Sequence, residues 1–107
     1  MEYNYTIYFL ESYPDYANYQ NVVFRVVYNI CAVSGSYTQA TTTDQEVEYL
    51  PGSTFVPFDQ LTKDIVVSWI ESSMGPEKLS ELKNSLKKGI EKKMNPETVL
   101  LSPLFEN

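Results

Sequence analysis

Pro57-Phe58-Asp59-Gln60-Leu61-Thr62-Lys63-Asp64-Ile65-Val66-Val67-Ser68-Trp69-Ile70 is the stretch around which the rest of the chain is organised. Thr62 has the side chain of an N-cap, and Asp64 places negative charge in the first turn, where the helix dipole favours it. Leu61 and Val66 stand at the N′ and N4 positions of a hydrophobic staple. A helix is therefore predicted to start at Thr62. At about 100° per residue, Ile65, Val66, Val67, Trp69, Ile70 and Met74 cover half of its circumference, which predicts a helix buried on two sides. Gly75-Pro76 stops it, a residue able to take positive φ followed by one that cannot continue a helix.

Upstream, residues 2–11 alternate, with Tyr3, Tyr5, Ile7 and Phe9 on one face and Asn4, Thr6, Tyr8 and Leu10 on the other. This pattern predicts a strand. Residues 12–21 contain turn formers throughout and no apolar period, so a loop is expected there. Tyr13, Tyr16 and Tyr19 recur in that loop, either packed over the domain or offered to a partner, because tyrosine gives large amphipathic contact area at low entropic cost. Residues 22–33 read as the most hydrophobic and central strand, with Val22, Phe24, Val26, Tyr28 and Ile30 on one side. Ser34-Gly35-Ser36 supplies a tight turn, and residues 37–43 return antiparallel as a polar, Thr-rich edge. Asp44-Gln45-Glu46 interrupts that return, and Val47-Glu48-Tyr49-Leu50 either pairs after a bulge or joins the connection. Residues 51–57 then run as an extended loop towards Phe58.

Downstream, residues 77–94 form a second helix with Leu79, Leu82, Leu86, Ile90 and Met94 on one stripe and mixed charges elsewhere. Its lysines crowd towards the C-terminal end, where the dipole favours them. They are interleaved with acids and read as a solvated face rather than a nucleic-acid site. Gly89 lies inside this helix at a cost of about 1 kcal/mol and marks a close approach, by the tail or a neighbouring chain. Asn95-Pro96 ends the helix. The tail is too apolar for water and too Pro-interrupted for a long helix, so it is expected to lie extended along the domain or along a partner chain, with Leu104 and Phe105 as its anchors.

The expected fold class is α+β: an antiparallel three-stranded meander (1–50) packed against two antiparallel helices (62–94), with an extended C-terminal tail (95–107). The 107 residues, 43% hydrophobic, suit a single globular domain. One cysteine, Cys31, precludes an intramolecular disulfide and reads as a small buried apolar residue. The absence of histidine removes the usual zinc sites and His-based triads. There is no phosphate loop, dinucleotide fingerprint or nucleophile elbow, so neither catalytic residues nor cofactors are expected. Asp44, Glu46 and Glu48 alternate and could hold a divalent cation, but such a trio on an edge strand more often discourages pairing with other chains, and no metal is expected. Residues 1–62 hold one positive side chain against seven negative ones, whereas residues 63–107 balance seven against seven. The acidic part should repel nucleic acid and anionic membrane, and no apolar run reaches the length of a membrane span.

The motif P-F-x-x-L-T-x-x-x-V-x-x-W-I resembles that of a family of short proteins encoded by tailed bacteriophages, many of them phages of cyanobacteria and other marine bacteria. Tyr5-Thr6-Ile7, Asn21-Val22-Val23 and the ending Asn95-Pro96-Glu97-Thr98-Val99 through Pro103-Leu104 extend the likeness over nearly the whole chain. Ser68 stands where the family more often has Gly, and Leu104-Phe105 where a Pro-aromatic ending is common. The family has no established activity. The resemblance implies a protein made in the cytoplasm of an infected bacterium and carried in the virion. The expected function is thus a non-enzymatic decoration, cement or tail-associated subunit that binds other phage proteins of the capsid or tail, or itself. Its contact residues would be Tyr13, Tyr16, Tyr19, Leu104 and Phe105. The alternative is a small acidic inhibitor of a host or defence protein, which requires Glu2, Asp15, Asp44, Glu46 and Glu48 to form one continuous negative face.

Overall fold

A computed structural model of the chain describes residues 1–16, 18–48, 55–96, 98 and 101–105. Three antiparallel strands, β1 (Glu2–Tyr16), β2 (Tyr19–Ser34) and β3 (Tyr37–Glu46), form an open sheet in the order β1-β2-β3. A single 3-10 turn (Phe58–Gln60) precedes the helices α1 (Lys63–Met74) and α2 (Pro76–Met94). The fold is α+β.

The segment expected as a loop, 12–21, is instead the end of a long hairpin. β1 runs on to Tyr16 and β2 begins at Tyr19, with Tyr16 paired to Tyr19, Asp15 to Gln20 and Tyr13 to Val22. Its turn-forming residues are absorbed locally. Asn18 takes φ 70° in the turn, and Asn21 takes φ 54° opposite the position of Pro14, which has no N–H to offer the ladder. Asp44-Gln45-Glu46 does not interrupt β3 either, since these residues pair with Val27, Val26 and Arg25. Val47 adds one further hydrogen bond, its N–H donating to the Phe24 carbonyl at 2.9 Å. Tyr49 and Leu50, and most of the expected 51–57 connection, lie outside the described residues. The β2–β3 turn is the expected tight one: Ser34 pairs with Tyr37, and Gly35 takes φ 59°.

The faces also differ from simple alternation. The β1–β2 register shifts between Ile7 and Phe9, with Tyr8 as the extra residue on β1. It shifts back between Glu11 and Ser12, with Phe24 as the extra residue on β2. Each is a β-bulge, and together they restore the original register beyond them. Ile7 and Leu10 consequently share the inward face, and Phe9 turns outward, 71% exposed. Val23 joins Val26 in the core cluster, while Val22, paired with Tyr13, is buried outside that cluster.

Both helices lie on that inward face. Val26, Tyr28 and Ile30 of β2 are fully buried with Ile70 of α1 and Ile90 of α2, each worth about 1.5–3 kcal/mol in removed apolar surface. Thr62 caps α1 as expected, its Oγ1 accepting from the Ile65 N–H at 3.3 Å. Gly75, at φ 87°, is the single residue between the helices, and Pro76 already opens α2. Contrary to expectation, α1 is not buried on two sides. Only Val66 and Ile70 are buried; Trp69, Val67 and Met74 are half-buried, and Phe58 is exposed. Among the described residues one helical layer covers the sheet and nothing is packed on the far side of α1. On α2, Leu86 and Ile90 are buried, whereas Met94 at the helix end is exposed.

Among the described residues, the close approach at Gly89 is not made by the tail. It is made by β3, where a Cβ on residue 89 would stand 2.7 Å from Gln39 Cδ. Lys93 further ties the end of α2 to β3 by donating to the Thr38 carbonyl. Tyr5 Oη donates to Glu71 Oε2 at 3.0 Å, and Tyr3 Oη to the Lys83 carbonyl at 3.3 Å, which attaches α1 and α2 to β1. Cys31, expected in the core, lies half-buried on the helix-free face between Asn4 and Ala40.

Candidate partner-binding surface

β3 pairs only with Arg25–Ser34, so Ser12–Tyr16 and Tyr19–Val23 project beyond it as a two-stranded ribbon. Two strands alone are marginal in water, and this ribbon is braced by stacked rings. Tyr13 stacks on Phe24 at 4.3 Å between centroids, and Tyr16 on Tyr13 at 5.5 Å. Tyr19 stacks on Phe55 at 4.1 Å. Each of the three tyrosines still leaves between 38% and 46% of its surface in water. The three rings are therefore partly packed and partly exposed. Tyr13 and Tyr16 are brought into one column, while Tyr19 belongs to a second stack.

The tail contributes a separate apolar group. Leu101, Leu104 and Phe105 are 84%, 106% and 70% exposed. Leu104 and Phe105 thus lie apart from the tyrosine ribbon in kind as well as in sequence. Phe9 is an exposed aromatic that alternation placed on one face with Tyr3, Tyr5 and Ile7. Its signal would have been the bulge at Tyr8, which no residue type announces.

On the helix-free face, Arg25 is the positive centre. Its Nε donates to Glu11 Oε1 at 2.7 Å and its Nη1 to Asp44 Oδ2 at 3.1 Å, and these bonds raise the guanidinium pKa further. Both pairs are exposed, so they fix cross-strand register more than they stabilise. Asp44 is thereby engaged, and no group of three or more Cys, Asp or Glu side chains close enough to hold a metal ion occurs among the described residues. Glu2, Asp44, Glu46 and Asp15 occupy positions facing away from the helices, but Glu2 and Asp15 are 13 residues apart on β1, roughly 43 Å. The carboxylates share a side without forming one continuous patch.

Inside, burial raises the pKa of Tyr5, and the hydrogen bond to Glu71 raises it further. Burial likewise raises Tyr28, with a smaller contribution from the charge of Asp44. Both stay neutral at ordinary pH and act as packing groups with a polar tip. No helix among the described residues is long and apolar enough to cross a membrane.

A family model described as a domain of unknown function, DUF7936, matches residues 1–103. The chain belongs to this family. The DUF7936 match therefore covers the sheet, both helices and most of the tail, so the arrangement described above is that of the family domain nearly entire. Neither the curated proteins nor the solved structures contain a match to the chain.

Proposed function

We propose that this chain is a non-enzymatic structural or interaction protein of a tailed-phage particle, a decoration, cement or tail-associated subunit that binds other virion proteins. The phage setting rests on the resemblance of the P-F-x-x-L-T-x-x-x-V-x-x-W-I stretch. The observation that carries the binding role is the projecting β1–β2 ribbon, whose tyrosines are held rigid by stacking while nearly half of each ring faces water. Prestacked rings lose little freedom on contact, which favours a protein partner. A ribbon of this length also reaches beyond the body of the domain, so it can enter a neighbour's cleft.

Mass spectrometry of purified, salt-washed particles of a phage encoding the protein tests this reading. The protein should be present at a fixed ratio to the capsid protein, the ratio separating a lattice-wide decoration from a tail ring. Presence in infected cells with absence from particles would overturn it and favour the inhibitor reading. That second reading draws support from the shared side of the acidic residues, but their spread along about 43 Å of strand weakens it.

A further inference from the structure

The two bulges are equal and lie on opposite strands. β1 and β2 keep one register from Glu2 opposite Val33 to Ile7 opposite Tyr28, and the same register again from Ser12 opposite Val23 to Tyr16 opposite Tyr19. Between Tyr8 and Phe24, the pairs Phe9 with Val27, Leu10 with Val26 and Glu11 with Arg25 are out of step by one residue. Taking both extra residues back into the ladder would pair Tyr8 with Val27, Phe9 with Val26, Leu10 with Arg25 and Glu11 with Phe24. Every pair outside the segment would stay as it is. A one-residue slip exchanges the faces of the strand it moves. Phe9 would then join Tyr5 and Ile7 on the helix side, and Ser12 would leave it. These two residues are the ones poorly served in the observed register: Phe9 is 71% exposed, and Ser12 Oγ is buried with no hydrogen-bond partner among the described residues.

We infer that β1 and β2 exchange between two registers, the bulged one as the major state and a continuous ladder as a minor one. The sequence suits both. Alternation puts Ile7 with Phe9, and Val22 with Phe24 and Val26, which are the faces of the continuous ladder, whereas Leu10 and Val23 reach the core in the bulged one. Arg25 holds the balance. Its Nε bond to Glu11 Oε1 and its Nη1 bond to Asp44 Oδ2 fasten β1 to β3 across β2, and the slip breaks the first because Glu11 moves to the helix side. The stack of Tyr19 on Phe55 favours the same state. Packed faces have discrete arrangements, so the slip is all or none. It turns the ribbon face about, carrying Tyr13 and Phe24 together from the helix-free side to the helix side. A contact made on one side of the ribbon therefore selects the register.

The exchange concerns the chain alone, does not rest on a virion role, and holds or fails in purified protein. Amide chemical exchange saturation transfer on the full chain should show one minor state at about 1–10%. It should involve residues 8–27 and spare Glu2–Thr6 and Ile30–Val33, whose pairs are common to both registers. Arg25→Gln, which releases Glu11, should raise that population at least threefold. Phe9→Ser, which removes the ring that gains from the slip, should lower it at least threefold. A fraying hairpin would not respond in these opposite directions. Deleting Tyr8 and Phe24 together should abolish the exchange, because one unbroken ladder then keeps the faces of the bulged state. Circular dichroism confirms that each variant is folded, and the two point variants decide the matter if the double deletion is not. A minor state seen in Arg25→Gln and below detection in the wild type still supports the inference. Its absence from both overturns it, as does a minor state that grows in Phe9→Ser or that includes Glu2–Thr6.

Discussion

Thr62 shows how a single side chain fixes where structure begins. Its Oγ1 accepts from the Ile65 N–H, one of the four donors a helix start leaves unpaired. Thr62→Ala should cost about 1 kcal/mol, seen as a fall in Tm of about 4–8 °C by circular dichroism. Tyr5 sets a different dependence. Because burial and the Glu71 hydrogen bond raise its pKa, the folded state keeps the phenol proton after the unfolded chain has lost it. The stabilisation is full below the ordinary tyrosine value of about 10 and is lost as pH rises beyond it towards the raised folded value. Urea unfolding at a series of pH values should show stability falling above about pH 10, and Tyr5→Phe should flatten that fall, leaving the part due to Tyr28. Caps of this kind were legible in the sequence because a cap is a local bargain between a side chain and the next three residues. Phe9 was not legible, since its exposure depends on a bulge set by pairing with β2.

The elements divide on the same principle. The helix start at Thr62, the stop at Gly75 and the tight turn at Gly35 follow from chemistry within a few residues, and all three appear. The hairpin end was hidden because Pro14, Asn18 and Asn21 are turn formers by composition, yet two of them spend that tendency inside a ladder. The half-exposure of α1 was hidden for another reason: an apolar circumference says what a helix can cover, and only the number of layers decides what covers it. Gly89 allows a test of how closely two elements meet. Gly89→Ala should gain up to about 1 kcal/mol of helix propensity yet lose it to the collision with Gln39, leaving the variant no more stable than wild type. In a Gln39→Ser background the same change should stabilise by about 1 kcal/mol, and the non-additivity in thermal unfolding is the readout. In the ribbon, Tyr13→Ser with Tyr16→Ser should abolish capture of particle proteins while lowering Tm by only a few degrees, since both rings are half in water.

At the scale of the whole molecule, extents of 69 × 31 × 20 Å and a radius of gyration of 19.1 Å describe a rod-like chain. A compact domain of this length would have a radius near 13 Å. Small-angle X-ray scattering at low concentration should report the larger radius, and a value near 13 Å would mean that the ribbon folds back. None of this shape was visible in composition, because length and hydrophobic fraction limit how much core can form but do not say how far a hairpin reaches past it. The bulges at Tyr8 and Phe24 then take on a mechanical meaning. Phe24 sits at the root of the ribbon and Tyr8 three residues inside the three-stranded part, and an extra residue at either place bends and twists the strand pair. From Glu11, the last β1 position opposite a β3-paired residue, to Tyr16 the arm is roughly 17 Å long, so a change of about 20° at the root swings the tip by about 6 Å. Deleting Tyr8 would leave every tyrosine at the tip chemically intact and re-aim all of them at once, like a needle shifted on its dial.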